Sequence, residues 1–286
     1  PGQFLRNVKI LSTGVYLPKP ALSLAEVEGF YGLRASGECG SRYIAKEINA
    51  PEMGALAARN ALDNAGLKFS DVDALIGTCG THAQIIPSNA SLIMRAMKEE
   101  DSVIPAFDIN STCLSFLAGL DTLSYLVAAG KYKRVLLVAS DKTSPGLVGT
   151  EHASLFSDGA AAVIIEQTPS GELSAINCSK IESYPSGSGY SEVRLGSNYP
   201  SGSGQFLMDG KSIYKIASKM IKPFVERLLQ NESLDDYRLV IPHQASAPAL
   251  KIIQKKLELE NERFLNLIGD FGNTVAASIP MGLHNA

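Results

Sequence analysis

The chain has 286 residues, of which 45% are hydrophobic and 19% are charged. This balance excludes an intrinsically disordered protein, and the length suits one large domain or two closely joined ones. The formal net charge is −3, which argues against a broad nucleic-acid-binding surface.

The sequence also argues against secretion, a membrane span and a metal site. No stretch reaches the roughly 18 apolar residues that span a membrane, and the first residues lack the pattern of a secretion signal. The cysteines, Cys39, Cys79, Cys113 and Cys178, are scattered without a CxxC pair. A disulfide framework or zinc site is therefore not expected. We expect a cytoplasmic α/β protein.

Strands and helices alternate through the first part of the chain. The predicted strands cover residues 8–18, 71–77, 104–110, 134–140 and 160–167. The predicted helices cover residues 52–66, 88–99 and 113–130, with Ser88 as an N-cap and Gly66 at a C-terminus. Residues 19–50 are Gly-rich and mixed, which predicts mostly loop.

A second series follows in similar order. The predicted strands cover residues 173–183 and 236–244, and a strand and turn cover residues 264–274. The predicted helices cover residues 212–231, 247–259 and a segment that begins at 275. Residues 185–204 are rich in Ser, Gly, Pro and Tyr, which predicts a surface loop.

The two series indicate a weak internal duplication. In each, a helix, a strand, a second helix and a second strand lead into a turn and a further helix. We therefore predict two related βαβ-type halves, residues 1–170 and 171–286. Ligands in such sheets bind beyond the carboxyl ends of strands, so both halves would face one site.

Cys113 lies where the strand FDIN meets a long apolar helix. The partial positive charge of a helix N-terminus lowers the pKa of a thiol and favours the thiolate. The alternative is a buried structural cysteine, the common fate of this residue. Cys39, Cys79 and Cys178 fit that alternative.

His243 and Asn273 are two further candidates. His243 ends the predicted strand RLVIPHQ, and Asn273 lies in FGNT, the counterpart of the turn of Cys113. Each also has an ordinary explanation, as a hydrogen-bonded surface histidine and as a turn residue. A thiolate beside two neutral hydrogen-bond donors suits thioester chemistry: the sulfur takes an acyl group, and the donors stabilise an enolate. The sequence lacks GxSxG, HExxH, P-loop and GxGxxG motifs.

Five motifs resemble one known family. DINSTCLSF around Cys113 is followed by FSDGAAAVI, FLMDGKSIYK, IPHQAS and GNTVAASIP. In this order they are similar to the 3-oxoacyl-[acyl-carrier-protein] synthase III family of the thiolase superfamily. The resemblance implies an α/β thiolase-like fold, in which duplicated halves form a layered α-β-α-β-α core.

The resemblance also implies an acyltransferase that performs a decarboxylative Claisen condensation. Cys113 would be acylated by an acyl-CoA, and a malonyl group on acyl carrier protein or CoA would lose CO₂. His243 and Asn273 would hold the enolate, and the backbone N–H of Cys113 would form part of an oxyanion hole. No cofactor is implied, since both thioesters are substrates.

Other residues match family positions outside the catalytic set. Phe156 would line the acyl channel, and Ile86 would enter the pocket of a second copy in a homodimer. Gly210 and Ser246 would lie along the pantetheine arm, although many relatives carry Asn in place of Ser246. Docking of the acidic carrier protein is implied for Lys215, Lys255 and Lys256, for which an ordinary solvated helix face is the alternative.

The chain also departs from the family. It has no Trp, whereas many relatives clamp the CoA adenine with one; Arg34 is the available substitute. The Gly-rich loop and strand that follow the last helix in relatives are absent, so we expect the second half to be truncated at its C-terminal strand.

Three alternatives remain at this point. One is an acyltransferase that passes the acyl group to an amine or hydroxyl, and another is a non-catalytic subunit that binds the carrier protein. A biosynthetic thiolase is weaker because those enzymes use a second cysteine, and none follows Asn273.

Overall fold

The computed structural model describes residues 5–32, 40–147, 152–193, 206–230 and 232–286. The strands are β1 (Val8–Tyr16), β2 (Ala74–Gly77), β3 (Ala106–Asp108), β4 (Arg134–Asp141), β5 (Gly159–Gln167), β6 (Ser191–Val193) and β7 (Phe206–Met208). The helices are α1 (Leu24–Tyr31), α2 (Ala50–Asn64), α3 (Asn89–Ala96), α4 (Ser115–Ala128), α5 (Ser144–Leu147), α6 (Gly210–Leu229), α7 (Ala247–Lys256), α8 (Ile268–Phe271) and α9 (Ser278–Asn285).

A mixed sheet of five strands, in the order β1-β5-β4-β2-β3, forms the centre of the molecule. Strand β5 is antiparallel to both β1 and β4, whereas β4, β2 and β3 run parallel. The carboxyl ends of β2, β3 and β4 therefore meet at one edge, which is where an α/β sheet binds ligands. Strands β6 and β7 form a separate antiparallel pair.

Helices cover both faces of this sheet. On β4, Leu136 and Val138 pack with α2 and α3, whereas Val135 and Leu137 pack with α4 and with Ile279 of α9. Both faces of the strand are therefore buried, and this explains its continuous apolar sequence. The α/β class and the strands predicted over residues 134–140 and 160–167 are confirmed.

Two helix termini follow their sequence signals. The Ser88 hydroxyl accepts the N–H of Ser91 at 3.3 Å at the start of α3. Gly66, with φ of +64°, follows the end of α2. The prediction of mostly loop over residues 19–50 missed α1, although Ser23 and Glu26 form a capping box there and Gly32 ends the helix at φ of +69°.

The predicted strands of the second series are wrong. In the described part of the chain, residues 173–183 pair only through one bridge, between Ile176 and Arg6. Residues 236–244 and 264–274 pair only through one parallel bridge, Val240 with Phe264, and α8 occupies part of the second segment. A segment with a strand-like sequence forms a β-ladder only where a neighbouring strand pairs with it along its length. Within the described residues, each of these segments pairs with a neighbouring segment at a single position.

The remaining segments agree in part with prediction. The predicted loop at 185–204 contains a 3₁₀ turn and then β6, and its residues 194–204 lie outside the described residues, as do Arg34 and Cys39. All five strands of the central sheet come from residues 8–167. The division of the chain into two halves at residue 170 stays a prediction.

Candidate active site

A strained turn places Cys113 at the carboxyl edge of the sheet. Beyond β3, the chain enters a 3₁₀ turn, Thr112–Leu114, which leads into α4. Thr112 has φ of +51°, a left-handed conformation that costs about 1–3 kcal/mol outside glycine. The Ser115 hydroxyl stabilises the turn, since it donates to the Thr112 carbonyl at 2.6 Å and accepts the Ser111 N–H at 2.8 Å.

Cys113 is protonated in this resting site. Burial raises the pKa of its thiol to about 11, and the negative charge of Asp141 contributes in the same direction. The predicted lowering of this pKa by a helix N-terminus is therefore wrong for the resting site. Helix α4 begins two residues later, at Ser115, and removal of the sulfur from water outweighs the helix dipole.

A second turn of the same design lies against the first. Asn273 precedes the 3₁₀ turn Val275–Ala277, in which Val275 has φ of +54°, and α9 begins at Ser278. The two turns pack together. Their register pairs NSTCLS with NTVAAS, so Asn273 corresponds to Asn110, and Cys113 corresponds to Ala276.

Asn273 is buried and held at both its backbone and its side chain. Its N–H donates to the Leu155 carbonyl at 3.0 Å, and its carbonyl accepts the Ser157 N–H at 3.0 Å. Its Oδ1 accepts the Val275 N–H at 2.9 Å, and its Nδ2 donates to the Ala245 carbonyl at 3.1 Å. An amide nitrogen carries two hydrogens, and among the described residues only one of them has an acceptor.

His243 is joined to the same turn by Ser278. Its Nδ1 lies 2.6 Å from the Ser278 hydroxyl, which also accepts the Gln244 N–H at 3.4 Å. Burial lowers the pKa of His243 to about 4, so the imidazole is neutral at pH 7. A hydroxyl that accepts from Gln244 is free to donate its own hydrogen to Nδ1, and that tautomer leaves the proton on Nε2.

An apolar cluster borders Cys113. Its members come from several segments: Leu22, Val27, Ile44, Leu147, Ala153, Phe156 and Val275, with Cys113, Leu155 and Phe206 at its border. The rings of Phe156 and Phe206 meet edge to face, with centroids 5.5 Å apart. Phe156 is therefore both in the cluster beside Cys113 and bridged to Asn273.

The comparisons with known proteins agree with this geometry. Residues 107–185 match the family model "3-Oxoacyl-[acyl-carrier-protein (ACP)] synthase III", and residues 230–286 match its C-terminal counterpart. The chain is 31% identical to the beta-ketoacyl-[acyl-carrier-protein] synthase III of Aquifex aeolicus, over 98% of this chain and 90% of that protein. It is 30% identical to the enzyme of the same name from Clostridium tetani, over 97% and 89%.

The chain belongs to the 3-oxoacyl-[acyl-carrier-protein] synthase III family. The crystal structure of the Aquifex aeolicus VF5 enzyme superposes with a TM-score of 0.87 at 30% identity, covering 98% of this chain and 90% of that one. The structure from Pseudomonas aeruginosa PAO1 also gives 0.87, at 27% identity and with 98% and 89% covered. The predicted thiolase-like fold and the predicted enzyme class, an acyltransferase of this synthase family, are confirmed.

The structure thus brings Cys113, Phe156, His243 and Asn273 into one region of this family member. Ile86 lies elsewhere, in an exposed loop where 81% of its surface is accessible. Gly210 is exposed as the first residue of α6, and a Cβ there would meet only Met208, at 3.7 Å. Ser246 caps α7 by accepting the Ala249 N–H at 3.3 Å.

The predicted docking lysines are exposed on two helices that pack together. Lys215 lies on α6, and Lys255 and Lys256 lie in the last turn of α7. Three further exposed lysines of α6 lie on the same side of the helix at spacings of three or four residues: Lys211 before Lys215, and Lys219 and Lys222 after it. They form a continuous basic stripe with it.

Sequence reasoning missed three residues that support the site, namely Asp141, Gln244 and Ser278. Gln244 is buried and donates to the Pro242 and Leu265 carbonyls at 3.0 and 3.2 Å, while it accepts the Leu267 N–H at 2.7 Å. Gln244 and Ser278 could have been found from the sequence, because each is a polar residue inside a family motif, IPHQAS and GNTVAASIP respectively. Asp141 ends a buried strand, and only the folded contacts distinguish it.

The described residues include neither a membrane-spanning helix nor a cluster that could hold a metal ion. None of the helices among them is long and apolar enough to span a bilayer. Among the same residues, no cluster of three or more His, Cys, Asp or Glu side chains is arranged to hold a metal ion.

Proposed function

We propose that this protein condenses an acyl-CoA with a malonyl thioester, on acyl carrier protein or CoA, to give a 3-oxoacyl thioester. Cys113 is the nucleophile, and His243 and Asn273 are the hydrogen-bond donors. The observation that supports this most is the convergence of a protonated thiol, a neutral imidazole and a fixed amide around two packed turns. The names of the relatives agree with this chemistry.

The first step transfers the acyl group to sulfur. The Sγ–C bond of an acyl-Cys113 thioester forms and the bond between the acyl carbon and the CoA sulfur breaks. The proton that leaves Cys113 is balanced by the one that CoA takes up. The apolar cluster that contains Phe156 accommodates the acyl chain, since it borders the sulfur and excludes water from the thioester.

The second step forms the carbon–carbon bond. The malonyl thioester loses CO₂, and the negative charge develops on its thioester oxygen as an enolate. Nε2–H of His243 and Nδ2–H of Asn273 donate to this oxygen. The enolate carbon attacks acyl-Cys113, the N–H of Cys113 stabilises the oxyanion, and the expelled sulfur takes up one proton. Because thioesters supply the activation, the proposal includes no cofactor.

The charge of the protein surface supports carrier protein as the malonyl donor. Lys211, Lys215, Lys219 and Lys222 present positive charge along α6, and Lys255 and Lys256 extend it onto α7. Phosphopantetheine would pass from this surface towards Cys113 beside Gly210 and Ser246. Acidic carrier proteins are recognised by such basic stripes through charge complementarity.

A homodimer in the cytoplasm completes the proposal. Ile85 and Ile86 expose 82% and 81% of their surface, and β3 is an edge strand that carries the exposed Phe107. An exposed edge and neighbouring apolar residues are typical of a surface that a partner covers. In the homodimer, Ile86 of each copy enters the acyl site of the other.

Mass spectrometry of the intact protein tests the first step. Incubation with acyl-CoAs of increasing length is expected to add one acyl mass, which Cys113→Ala abolishes. Cys178→Ala, a change at a partly buried cysteine outside the site, is the matched control and keeps the adduct. Absence of an adduct with every donor would favour a non-catalytic subunit.

Product analysis with ¹⁴C-carboxyl-labelled malonyl carrier protein tests the second step. The acylated enzyme is expected to release labelled CO₂ in the same amount as 3-oxoacyl product, and Asn273→Ala should lower this rate about 100-fold or more while leaving the acyl adduct intact. Transfer of the acyl group to an amine or hydroxyl without CO₂ would contradict condensation.

A further inference from the structure

Asp141 is a buried carboxylate at the carboxyl end of β4, with 0% of its surface accessible. Its Oδ1 accepts the Gly80 N–H at 2.8 Å, the Thr81 N–H at 2.7 Å and the Thr81 hydroxyl at 2.9 Å. Its Oδ2 accepts the Ala276 N–H at 3.1 Å. In the described part of the chain no lysine or arginine pairs with it, so these neutral donors alone solvate the carboxylate.

These contacts join the segments that build the site. Gly80 lies between the two packed turns: a Cβ there would come within 2.5 Å of Val275 Cγ1 and 3.1 Å of the Thr112 carbonyl oxygen. Ala276 belongs to the turn that follows Asn273. One side chain therefore holds the loop after β2 and the turn of Asn273 in a fixed relation to the turn of Cys113.

The duplicated register adds a second observation. Ala276 corresponds to Cys113 in the paired sequences NTVAAS and NSTCLS. The N–H of Ala276 donates to a carboxylate oxygen of Asp141 at 3.1 Å, so in this turn the N–H at the position that corresponds to Cys113 contacts an anion. The oxyanion assigned to the N–H of Cys113 would occupy the matching place.

We propose that Asp141 is a positioning residue for the condensation, which fixes the turn of Asn273 against the turn of Cys113 by hydrogen bonding to Ala276, Gly80 and Thr81. This inference rests on the proposed function for its catalytic consequence. The geometric part, a buried carboxylate that joins the loop of Gly80 and Thr81 to the turn of Ala276, is independent of that function.

The charge of Asp141 affects a measurable quantity, the pKa of the Cys113 thiol. A residue that only supported the fold would leave this pKa unchanged. The titratable groups that feel this charge are the thiols of Cys79 and Cys113, whose pKa values it raises. The other groups that face it, on the loop of Gly80 and the turn of Ala276, are backbone N–H groups and the Thr81 hydroxyl. Removal of the charge should therefore lower the pKa of Cys113.

The experiment compares Asp141→Asn with Asp73→Asn. Asp73 also accepts two backbone N–H bonds, from Lys133 and Arg134, but at the opposite end of β4. Burial raises the pKa of Asp141 to about 6, so its carboxylate is ionised above pH 7.5. The alkylation rate of Cys113 by iodoacetamide is therefore measured from pH 7.5 to 12 by peptide mass mapping, and condensation is measured with malonyl carrier protein. For Asp141→Asn we expect an alkylation midpoint about one pH unit lower and condensation at least tenfold slower, with neither change in Asp73→Asn.

An unshifted alkylation midpoint of Cys113 in Asp141→Asn, together with a condensation rate within twofold of wild type, would overturn the proposal.

If circular dichroism shows that Asp141→Asn is unfolded, the variants Thr81→Val and Thr81→Ser are used in its place. The valine variant loses one donor to Asp141 and should condense at least threefold more slowly, while serine restores the rate; equal rates for both and for wild type would overturn the proposal. If the wild-type protein does not catalyse condensation, the proposed function is wrong. The alkylation midpoint of Asp141→Asn still shows whether the charge of Asp141 acts on the thiol of Cys113.

Discussion

The resting state of Cys113 depends on two effects that oppose the helix dipole. Burial and the charge of Asp141 raise the pKa of its thiol to about 11 from an ordinary value of 9.0. At about 1.4 kcal/mol per pKa unit, forming the thiolate costs roughly 3 kcal/mol more than in a free thiol. A sulfur that is mostly protonated reacts slowly with oxidants and alkylating agents, because the thiolate is the reactive form.

This state predicts a nucleophile that is slow towards small reagents. Because thiolate is the reactive form, alkylation of Cys113 should rise about tenfold per pH unit up to a midpoint near pH 11. At pH 7.5 the rate should fall below that of N-acetylcysteine. Stopped assays with iodoacetamide and peptide mapping measure this, and a plateau below pH 8 would show that the thiolate is stable in the resting enzyme.

Helices and strands could be predicted from the sequence where the local pattern of apolar residues matches the burial that the segment has in the folded protein. The apolar runs of β4 and β5 are buried on both faces, and Cys113, His243 and Asn273 stand out because each follows a strand-like segment. The strand predicted over residues 236–244 failed because one bridge at Val240 is its only pairing in the described structure. The hydrogen bond from the N–H of Ala276 to Asp141 joins residues 135 positions apart in the chain. A local sequence pattern therefore could not predict it.

The basic stripe of α6 predicts how the enzyme distinguishes its malonyl donors. Charge reversal at Lys215 and Lys219 should raise KM for malonyl carrier protein at least fivefold, since each like-charge contact with an acidic partner weakens binding. KM for malonyl-CoA should change less than twofold. Steady-state kinetics at two salt concentrations measure both values, because higher salt should narrow the difference.

Lys133→Glu provides the control for that change. Lys133 is exposed at the amino end of β4, away from the edge of the sheet where Cys113 lies. Its reversal alters the net charge by the same amount per residue but leaves the stripe intact. Equal increases in KM for both donors, or the same effect in Lys133→Glu, would contradict docking of the carrier protein on α6.

At the scale of the whole molecule, the acyl site and the proposed dimer surface share one loop. The segment after β2 supplies Gly80 and Thr81 to Asp141, and a few residues later it exposes Ile85 and Ile86. His82 lies between these parts, with its Nε2 3.1 Å from Asn110 Nδ2 beside the turn of Cys113. Burial of Ile86 in a second copy would therefore restrain the same loop whose Gly80 and Thr81 donate hydrogen bonds to Asp141.

This arrangement predicts that dimerisation and condensation are lost together. Sedimentation of the wild-type protein should give twice the chain mass of 30.4 kDa, and Ile86→Glu should shift it towards the monomer because a charge cannot be buried in the partner's apolar site. Condensation should fall at least tenfold in the same variant. Leu173→Glu, at a side chain that is 99% exposed elsewhere on the surface, should change neither property. A monomeric wild type with full activity would contradict the contribution of Ile86 across subunits.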